Sequence, residues 1–113
     1  MSAADGGGWT AIGALADLPE GRGATRDVDG VTVMVVRSGE RVFAVADRCT
    51  HQGSSLSRGR VRITDSLATV TCPVHGSRFR LDDGRVLRGP AARPVDAYEV
   101  RVEDGVVELR PRA

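Results

Sequence analysis

The feature that most constrains this chain is the placement of its cysteines and histidines. Cys49, His51, Cys72 and His75 are all the cysteines and histidines in the 113-residue sequence. They form two close pairs, Cys-x-His and Cys-x-x-His, and a glycine follows each pair within two residues. Because such a pair can bind one centre only where the backbone turns sharply, each pair is expected at a loop tip. Two thiolates and two imidazoles can hold a zinc ion, or an iron–sulfur cluster in which histidines replace two cysteines on one iron.

Outside these pairs the sequence is patterned as short β-strands. Residues 98–102 alternate polar and apolar side chains, as a half-buried strand does. The expected strands are 31–36, 41–46, 98–102 and 106–109, with weaker candidates at 9–12 and 24–28. Tight hairpin turns are expected at the Asp-Gly pairs 29–30, 83–84 and 104–105.

The segment between the two Cys/His pairs is expected to fold as a hairpin. Residues 61–63 and 67–70 are strand-like and flank the turn sequence Thr64-Asp65-Ser66. This hairpin would place the two loop tips side by side. No window of a dozen residues has helical periodicity, so one short turn near 14–18 is the only expected helix. The pattern predicts one all-β domain of antiparallel sheets, preceded by a flexible segment at residues 1–8.

The location of the protein is also constrained by its sequence. The longest nearly unbroken apolar stretch, 31–36, is too short to span a bilayer. The first residues lack a positively charged head followed by an apolar run, so neither a secretory signal nor a membrane anchor is expected. A cytoplasmic location is therefore predicted, and in a reducing compartment two cysteines are expected to bind metal rather than form a disulfide.

The charges are unevenly distributed along the chain, and all 16 basic residues are arginine. Residues 48–93 carry nine arginines and three acids, a net charge of +6, whereas 1–47 and 94–113 carry −3 and −2. The basic middle thus coincides with the Cys/His pairs. We hypothesise that its arginines steer the protein onto acidic partner surfaces. The arginines nearest the pairs in sequence are Arg48, Arg58, Arg60, Arg78, Arg80 and Arg88.

Three segments together resemble the Rieske-type [2Fe–2S] domain. They are Cys49-Thr50-His51-Gln52-Gly53, Cys72-Pro73-Val74-His75-Gly76-Ser77 and Gly89-Pro90. The resemblance implies a Rieske-like fold of antiparallel sheets over residues 9–113, with a cluster-binding subdomain of two loops at one end, about 48–92. It also implies that one [2Fe–2S] cluster is bound, with Cys49 and Cys72 on one iron and His51 and His75 on the other.

A Cys₂His₂ zinc site is the alternative that the residues leave open. Zinc sites more often contain Cys-x₂-Cys pairs with the histidines grouped separately. Here each pair mixes one cysteine with one histidine, which suits a binuclear cluster with two ligands of each type on separate irons.

The resemblance also indicates how the cluster would be tuned. Members of the family in respiratory complexes have an extra cysteine in each loop, joined by a disulfide, and this chain has no third cysteine. They also place a tyrosine hydroxyl near the cluster, where this chain has Phe79. Ser77 matches a serine whose hydroxyl can donate to a bridging sulfide. Because fewer donors stabilise the reduced cluster less, we predict a midpoint potential in the lower half of the Rieske range of about −150 to +300 mV.

Nothing else in the sequence has the pattern of an active site. No histidine or cysteine remains to act as base or nucleophile, and no Gly-x-Gly-x-x-Gly sequence is present. The chain is similar to the soluble Rieske-type ferredoxins of aromatic-ring dioxygenase systems. That similarity implies a non-enzymatic one-electron carrier between a flavin-containing reductase and a terminal oxygenase, as a monomer that binds neither nucleic acid nor membrane. The alternatives are a small electron-transfer subunit of a nitrite reductase and a metal-stabilised sensing or interaction module.

Overall fold

The computed structural model describes residues 8–112, and strands make up about half of it. Its strands are β1 (Thr10–Ala14), β2 (Gly23–Val28), β3 (Val31–Ser38), β4 (Arg41–Ala46), β5 (Arg60–Ile63), β6 (Ala68–Thr71), β7 (Arg78–Arg80), β8 (Val86–Arg88), β9 (Tyr98–Glu103) and β10 (Val106–Pro111). Two 3₁₀ turns, Leu15–Asp17 and Leu56–Arg58, are the helical elements of the described residues. The flexible segment predicted at 1–8 lies almost wholly outside them. Neither helical turn has the length or apolar character of a membrane-spanning helix.

The strands form three antiparallel sheets, which confirms the predicted all-β class. The sheets have the strand orders β1-β10-β9, β2-β3-β4 and β5-β6-β7-β8. An isolated antiparallel bridge between Val45 and Ala97 connects the second sheet to the segment that leads into β9. Each strand therefore pairs mainly with a neighbour in sequence, apart from β1, which joins the C-terminal hairpin.

Two of the predicted Asp-Gly turns are two-residue hairpins. Asp29 and Asp104 have positive φ values of 51° and 53°, and the glycine after each is also left-handed. Positive φ at both positions is the geometry that matches the twist of paired strands. The third pair, Asp83-Gly84, lies instead in a five-residue connection between β7 and β8. Here only the glycine has positive φ, and its N–H donates to the Arg80 carbonyl at 2.8 Å.

The four-stranded sheet has an apolar face and a basic face. Val61, Val70, Phe79 and Val86 lie opposite one another across its four strands and pack in one hydrophobic core. In an antiparallel sheet, directly opposed residues point to the same face and neighbours in sequence to the other. The alternate row on the other face is Arg60, Thr71, Arg78 and Arg88.

The buried residues form two hydrophobic clusters. The larger one contains Met34, Leu56 and Phe79 together with both cysteines. The second contains Val33, Val35, Val107 and Leu109, and joins the first two sheets. Strand β3 serves both clusters, because its alternate side chains are buried on opposite faces.

The single tryptophan of the chain lies on the first sheet. The guanidinium carbons of Arg101 and Arg110 each lie 4.4 Å from the centroid of the Trp9 ring. The same arginines form cross-strand ion pairs at 2.6 Å, with Glu108 and Glu99 respectively. The start of the first strand is thus held by cation–π contacts as well as by backbone pairing.

Candidate metal centre

The first Cys/His pair lies in a tight loop, residues 49–54, between β4 and the Leu56–Arg58 turn. The Cys49 N–H donates to the Ser54 carbonyl at 2.8 Å, and the Gly53 N–H donates back to the Cys49 carbonyl at 2.7 Å. Gly53 has φ of 80°, a conformation that side chains disfavour. These two bonds close the loop on itself, so His51 is held at its tip.

The second pair lies in a loop with the same internal bonding, residues 72–77, between β6 and β7. The Cys72 N–H donates to the Ser77 carbonyl at 2.7 Å, and the Gly76 N–H donates to the Cys72 carbonyl at 3.1 Å. Gly76 has φ of 78°, nearly that of its counterpart in the first loop. The hairpin of β5 and β6 separates the two loops in sequence, as the sequence predicted.

The four predicted ligand side chains separate into two layers. Cys49 and Cys72 are free thiols, each 3% exposed, in one hydrophobic cluster. His51 and His75 are exposed, and their ring centroids lie 5.3 Å apart with the ring planes at 81°. The loops therefore bring all four predicted residues to one region, with sulfur on the inside and imidazole on the outside.

No group of three or more His, Cys, Asp or Glu side chains within residues 8–112 is gathered so that it could hold one metal ion. A tetrahedral zinc ion needs its four ligands around one point. A [2Fe–2S] cluster needs only two ligands at each of two irons. The buried thiol pair and the exposed imidazole pair supply two ligands of each type, which is the donor set of a two-iron cluster with mixed ligation.

A model for the Rieske-like [2Fe-2S] domain matches residues 8–110 of this chain. The chain belongs to the Rieske-like [2Fe-2S] domain family. The 3-phenylpropionate/cinnamic acid dioxygenase ferredoxin subunit of Escherichia coli (strain K12) is 38% identical over 91 residues, which are 80% of this chain and 82% of the relative. The predicted fold and the predicted [2Fe–2S] cofactor are therefore confirmed.

Solved structures of related proteins have the same fold. The ferredoxin of carbazole 1,9a-dioxygenase from Nocardioides aromaticivorans IC177 is similar at a TM-score of 0.84 and 31% identity, over 94% of this chain and all of that one. A chain in the complex of reduced oxygenase and oxidized ferredoxin of carbazole 1,9a-dioxygenase matches at 0.77 and 30%, over 90% and 92% of the two chains. A putative NADH-dependent nitrite reductase small subunit from Mycobacterium tuberculosis matches at 0.80 and 32%, over 93% and 95%.

A third segment of the Rieske domain, residues 91–93, forms hydrogen bonds with both loops, through one hydroxyl group of each loop. The Thr50 hydroxyl donates to the Arg93 carbonyl at 2.6 Å, and the Ala91 N–H donates to Ser77 Oγ at 3.0 Å. Since each loop is closed internally, these two bonds help to fix one loop relative to the other. Sequence reasoning did not identify them, because 43 residues separate Thr50 from Arg93.

Asp47 stabilises the first loop by accepting hydrogen bonds from the residues that follow it. Its carboxylate accepts hydrogen bonds from the Ser55 hydroxyl and the Ser57 N–H, both at 2.6 Å, and from the Ser57 hydroxyl at 3.2 Å. These residues flank the loop on both sides, at the end of β4 and the start of the Leu56–Arg58 turn. The sequence contains one signal that was not used, an aspartate two residues before a predicted ligand with serines downstream.

The arginines near the two loops differ in whether they are neutralised. Arg80 forms an ion pair with Asp82 at 3.2 Å. Partial burial acts to raise the pKa of Asp82, but the hydrogen bond and charge of Arg80, a backbone hydrogen bond and the charge of Arg41 together hold the pKa below its ordinary value. No ion pair involves Arg58, Arg60 or Arg78 within the described part of the chain.

Proposed function

We propose that this Rieske protein is an electron carrier with no substrate site of its own, which accepts single electrons from a flavin-containing reductase and delivers them to a terminal oxygenase. The relatives named as dioxygenase ferredoxin subunits support this role. The complex of oxygenase and ferredoxin in carbazole 1,9a-dioxygenase supports the oxygenase as the partner. The reductase is proposed from the family resemblance, and a cytoplasmic location is part of the same proposal.

We further propose that Cys49 and Cys72 bind one iron of the cluster and that His51 and His75 bind the other. The cluster supplies a one-electron couple when it is bound. The observation that carries the proposal is the pair of matching loops, which bury two thiols and expose two imidazoles whose centroids lie 5.3 Å apart. Exposed imidazoles give a partner protein access to the histidine side of the cluster, while the buried thiols keep the other side away from water.

The domain assignment follows the same proposal. We assign residues 9–113 to the Rieske domain and 48–92 to its cluster-binding subdomain. The subdomain boundaries 48 and 92 are supported by the four-stranded sheet, which lies wholly between them.

The decisive experiment is electron paramagnetic resonance of the dithionite-reduced protein, with iron and acid-labile sulfide measured on the same sample. We expect two irons and two sulfides per chain and a spectrum of mixed His/Cys ligation. Cys49→Ser and His75→Ala are expected to lose that spectrum. Val74→Ala is the matched control, since Val74 lies in the same loop and is 52% exposed. Stoichiometric zinc without a reduced-state signal would overturn the proposal.

A nitrite reductase small subunit is the second candidate function, and the similarity to the Mycobacterium tuberculosis protein favours it. Many subunits of that kind have lost the cluster ligands, whereas all four residues are present here. Electron transfer from the reduced protein to a purified terminal oxygenase would support the carrier. Co-purification with a nitrite reductase large subunit instead would support the alternative.

A further inference from the structure

The outer face of the four-stranded sheet carries three arginines in one row. Arg60 lies opposite Thr71, Thr71 opposite Arg78, and Arg78 opposite Arg88, where the β7–β8 register shifts between Arg78 and Phe79. With strands about 4.8 Å apart, this arginine row, Arg60, Arg78 and Arg88, extends over about 14 Å. Like charges directly opposite each other destabilise a sheet. The pairing of Arg78 with Arg88 is therefore expected to cost the fold stability, and a local rule broken in this way is expected at a functional site.

The arginine row borders the second loop. Arg58, Arg60 and Arg78 line a groove of about 560 Å³ whose wall includes Cys72 and Pro73. Arg78 Nε donates to the Thr71 hydroxyl at 3.3 Å, which orients the guanidinium without neutralising it. Gly59 makes this arrangement possible, because a Cβ there would overlap the Thr71 carbonyl oxygen.

The groove beside the first loop is electrostatically weaker. It has a volume of about 730 Å³, and its charged lining residues are Arg48, Arg93 and Asp96. The net charge of these side chains is +1, against +3 for the groove beside the second loop. The tip of the second loop also exposes 52% of Val74, next to Pro73. The second-loop side thus combines a cationic groove with an apolar contact point.

We propose that the arginine row and its groove are the docking site for an acidic segment of a partner protein, which places its carboxylates along the row and an apolar side chain against Val74. This inference rests on the proposed carrier function. A protein surface is favoured over a nucleic acid because the whole chain has a net charge of only +1 and acidic regions on both sides of its basic middle. Domains that bind nucleic acid are usually strongly basic overall, whereas a short acidic segment needs only a local cluster of arginines.

The test uses two small oxidants of opposite charge in place of the partner. Each takes one electron from the dithionite-reduced protein, so that the anion hexacyanoferrate(III) becomes hexacyanoferrate(II). The cation tris(1,10-phenanthroline)cobalt(III) is repelled by the same charges, so the ratio of the two rates cancels changes in driving force and reports the electrostatics. We expect Arg60→Gln/Arg88→Gln to lower the ratio of the anion rate to the cation rate about tenfold at low ionic strength. Added salt is expected to lower the wild-type ratio as well.

The matched control is Arg26→Gln/Arg112→Gln, which makes the same change in net charge. Arg26 and Arg112 donate to the carbonyls of Thr25 and Asp82, outside the row and both grooves. We expect this variant to retain the wild-type ratio within about twofold. Equal loss in both double variants, or no loss in either, would overturn the proposal.

A second experiment identifies the class of molecule that binds the arginine row. An acetylated octaglutamate peptide is expected to slow oxidation by hexacyanoferrate(III) in the wild type and in the control, and to have no effect in Arg60→Gln/Arg88→Gln. Tight binding of a random-sequence DNA duplex at 0.15 M salt would instead assign the row to nucleic acid. All variants are compared by their reduced-state paramagnetic resonance spectra. If Arg60→Gln/Arg88→Gln has an intact spectrum and the wild-type rate ratio, the docking site alone is contradicted. If the wild type itself lacks the spectrum, the carrier function is contradicted.

Discussion

Ser77 occupies the most constrained polar position beside the proposed cluster ligands. It is fully buried, and its Oγ accepts the Ala91 N–H at 3.0 Å, which leaves the hydroxyl proton to be donated elsewhere. The family resemblance gives that proton an acceptor, a bridging sulfide of the cluster. One side chain would therefore tie the second loop to the 91–93 segment and also stabilise the reduced state.

Replacing Ser77 with alanine is expected to have two separable effects. The free energy of unfolding should fall by about 1–3 kcal/mol, because the buried Ala91 N–H loses its acceptor. The midpoint potential should fall because the sulfide loses a donor. Denaturant unfolding and potentiometric titration measure the two effects, with Ser66→Ala, in an exposed turn, as the control. An unchanged midpoint potential would remove the assigned role of the hydroxyl.

Phe79→Tyr tests the opposite change at the position where respiratory relatives have tyrosine. Phe79 is fully buried in the same hydrophobic cluster as both cysteines, so its packing role is evident from the structure. A hydroxyl added there is expected to raise the midpoint potential modestly if it donates to a cluster sulfur. An unaltered potential with an intact visible spectrum would show that the position serves packing only.

Asp47 is expected to control how firmly the first loop holds the cluster. Asp47→Ala removes the acceptor of three hydrogen bonds and should lower the free energy of unfolding by about 2–3 kcal/mol. Loss of visible absorbance on incubation with a chelator should be faster than in the wild type. Asp47→Asn keeps one acceptor oxygen and should be milder, and Asp65→Ala in an exposed turn should match the wild type.

At the scale of elements, local chemistry explains which predictions were correct. The strands 31–36, 41–46, 98–102 and 106–109 are confirmed within one or two residues at each end. They lie between turns whose Asp-Gly or glycine residues set the backbone directly. Strands β7 and β8 were not predicted, because three residues are too few to give a period-two pattern. The sequence therefore placed their arginines near the Cys/His pairs but not on a sheet.

The pairing of β7 with β8 yields a prediction about stability. Arg88→Glu converts the like-charge pair with Arg78 into an opposite-charge pair and should raise the free energy of unfolding by about 0.2–1 kcal/mol. The same change should slow oxidation by hexacyanoferrate(III), since it reverses a charge in the arginine row. Arg88→Gln removes the repulsion without adding an attraction, so the difference in stability between the two variants measures the attraction alone. A loss of stability in both variants would contradict the repulsion argument.

At the scale of the whole molecule, the sequence predicted the fold class and the family. The pattern of short strands indicated the all-β class, and the two Cys/His segments together with Gly89-Pro90 indicated the family. The relative placement of the two loops could not be predicted, because it depends on contacts between distant residues such as Thr50 and Arg93. The distribution of arginines over one sheet face required the strand register, which no local pattern contains.

The whole protein environment sets the midpoint potential, which we expect in the lower half of the range of about −150 to +300 mV. The chain lacks a loop disulfide and has phenylalanine in place of the tyrosine donor, while the nearby arginines act in the opposite direction. Potentiometric titration followed by visible circular dichroism measures it. A midpoint well above about +150 mV would show that the missing donors do not dominate.

The position of Trp9 gives the protein an intrinsic fluorescent probe of its own unfolding. Its indole emission follows the first sheet, whereas the colour of a bound cluster follows the two loops and the core that contains both cysteines. Melting curves recorded at the two wavelengths would coincide if the chain unfolds as one cooperative unit. If the two curves separate, the two loops and their core unfold while the first sheet remains folded. The difference between the two melting temperatures then measures how strongly these parts are coupled.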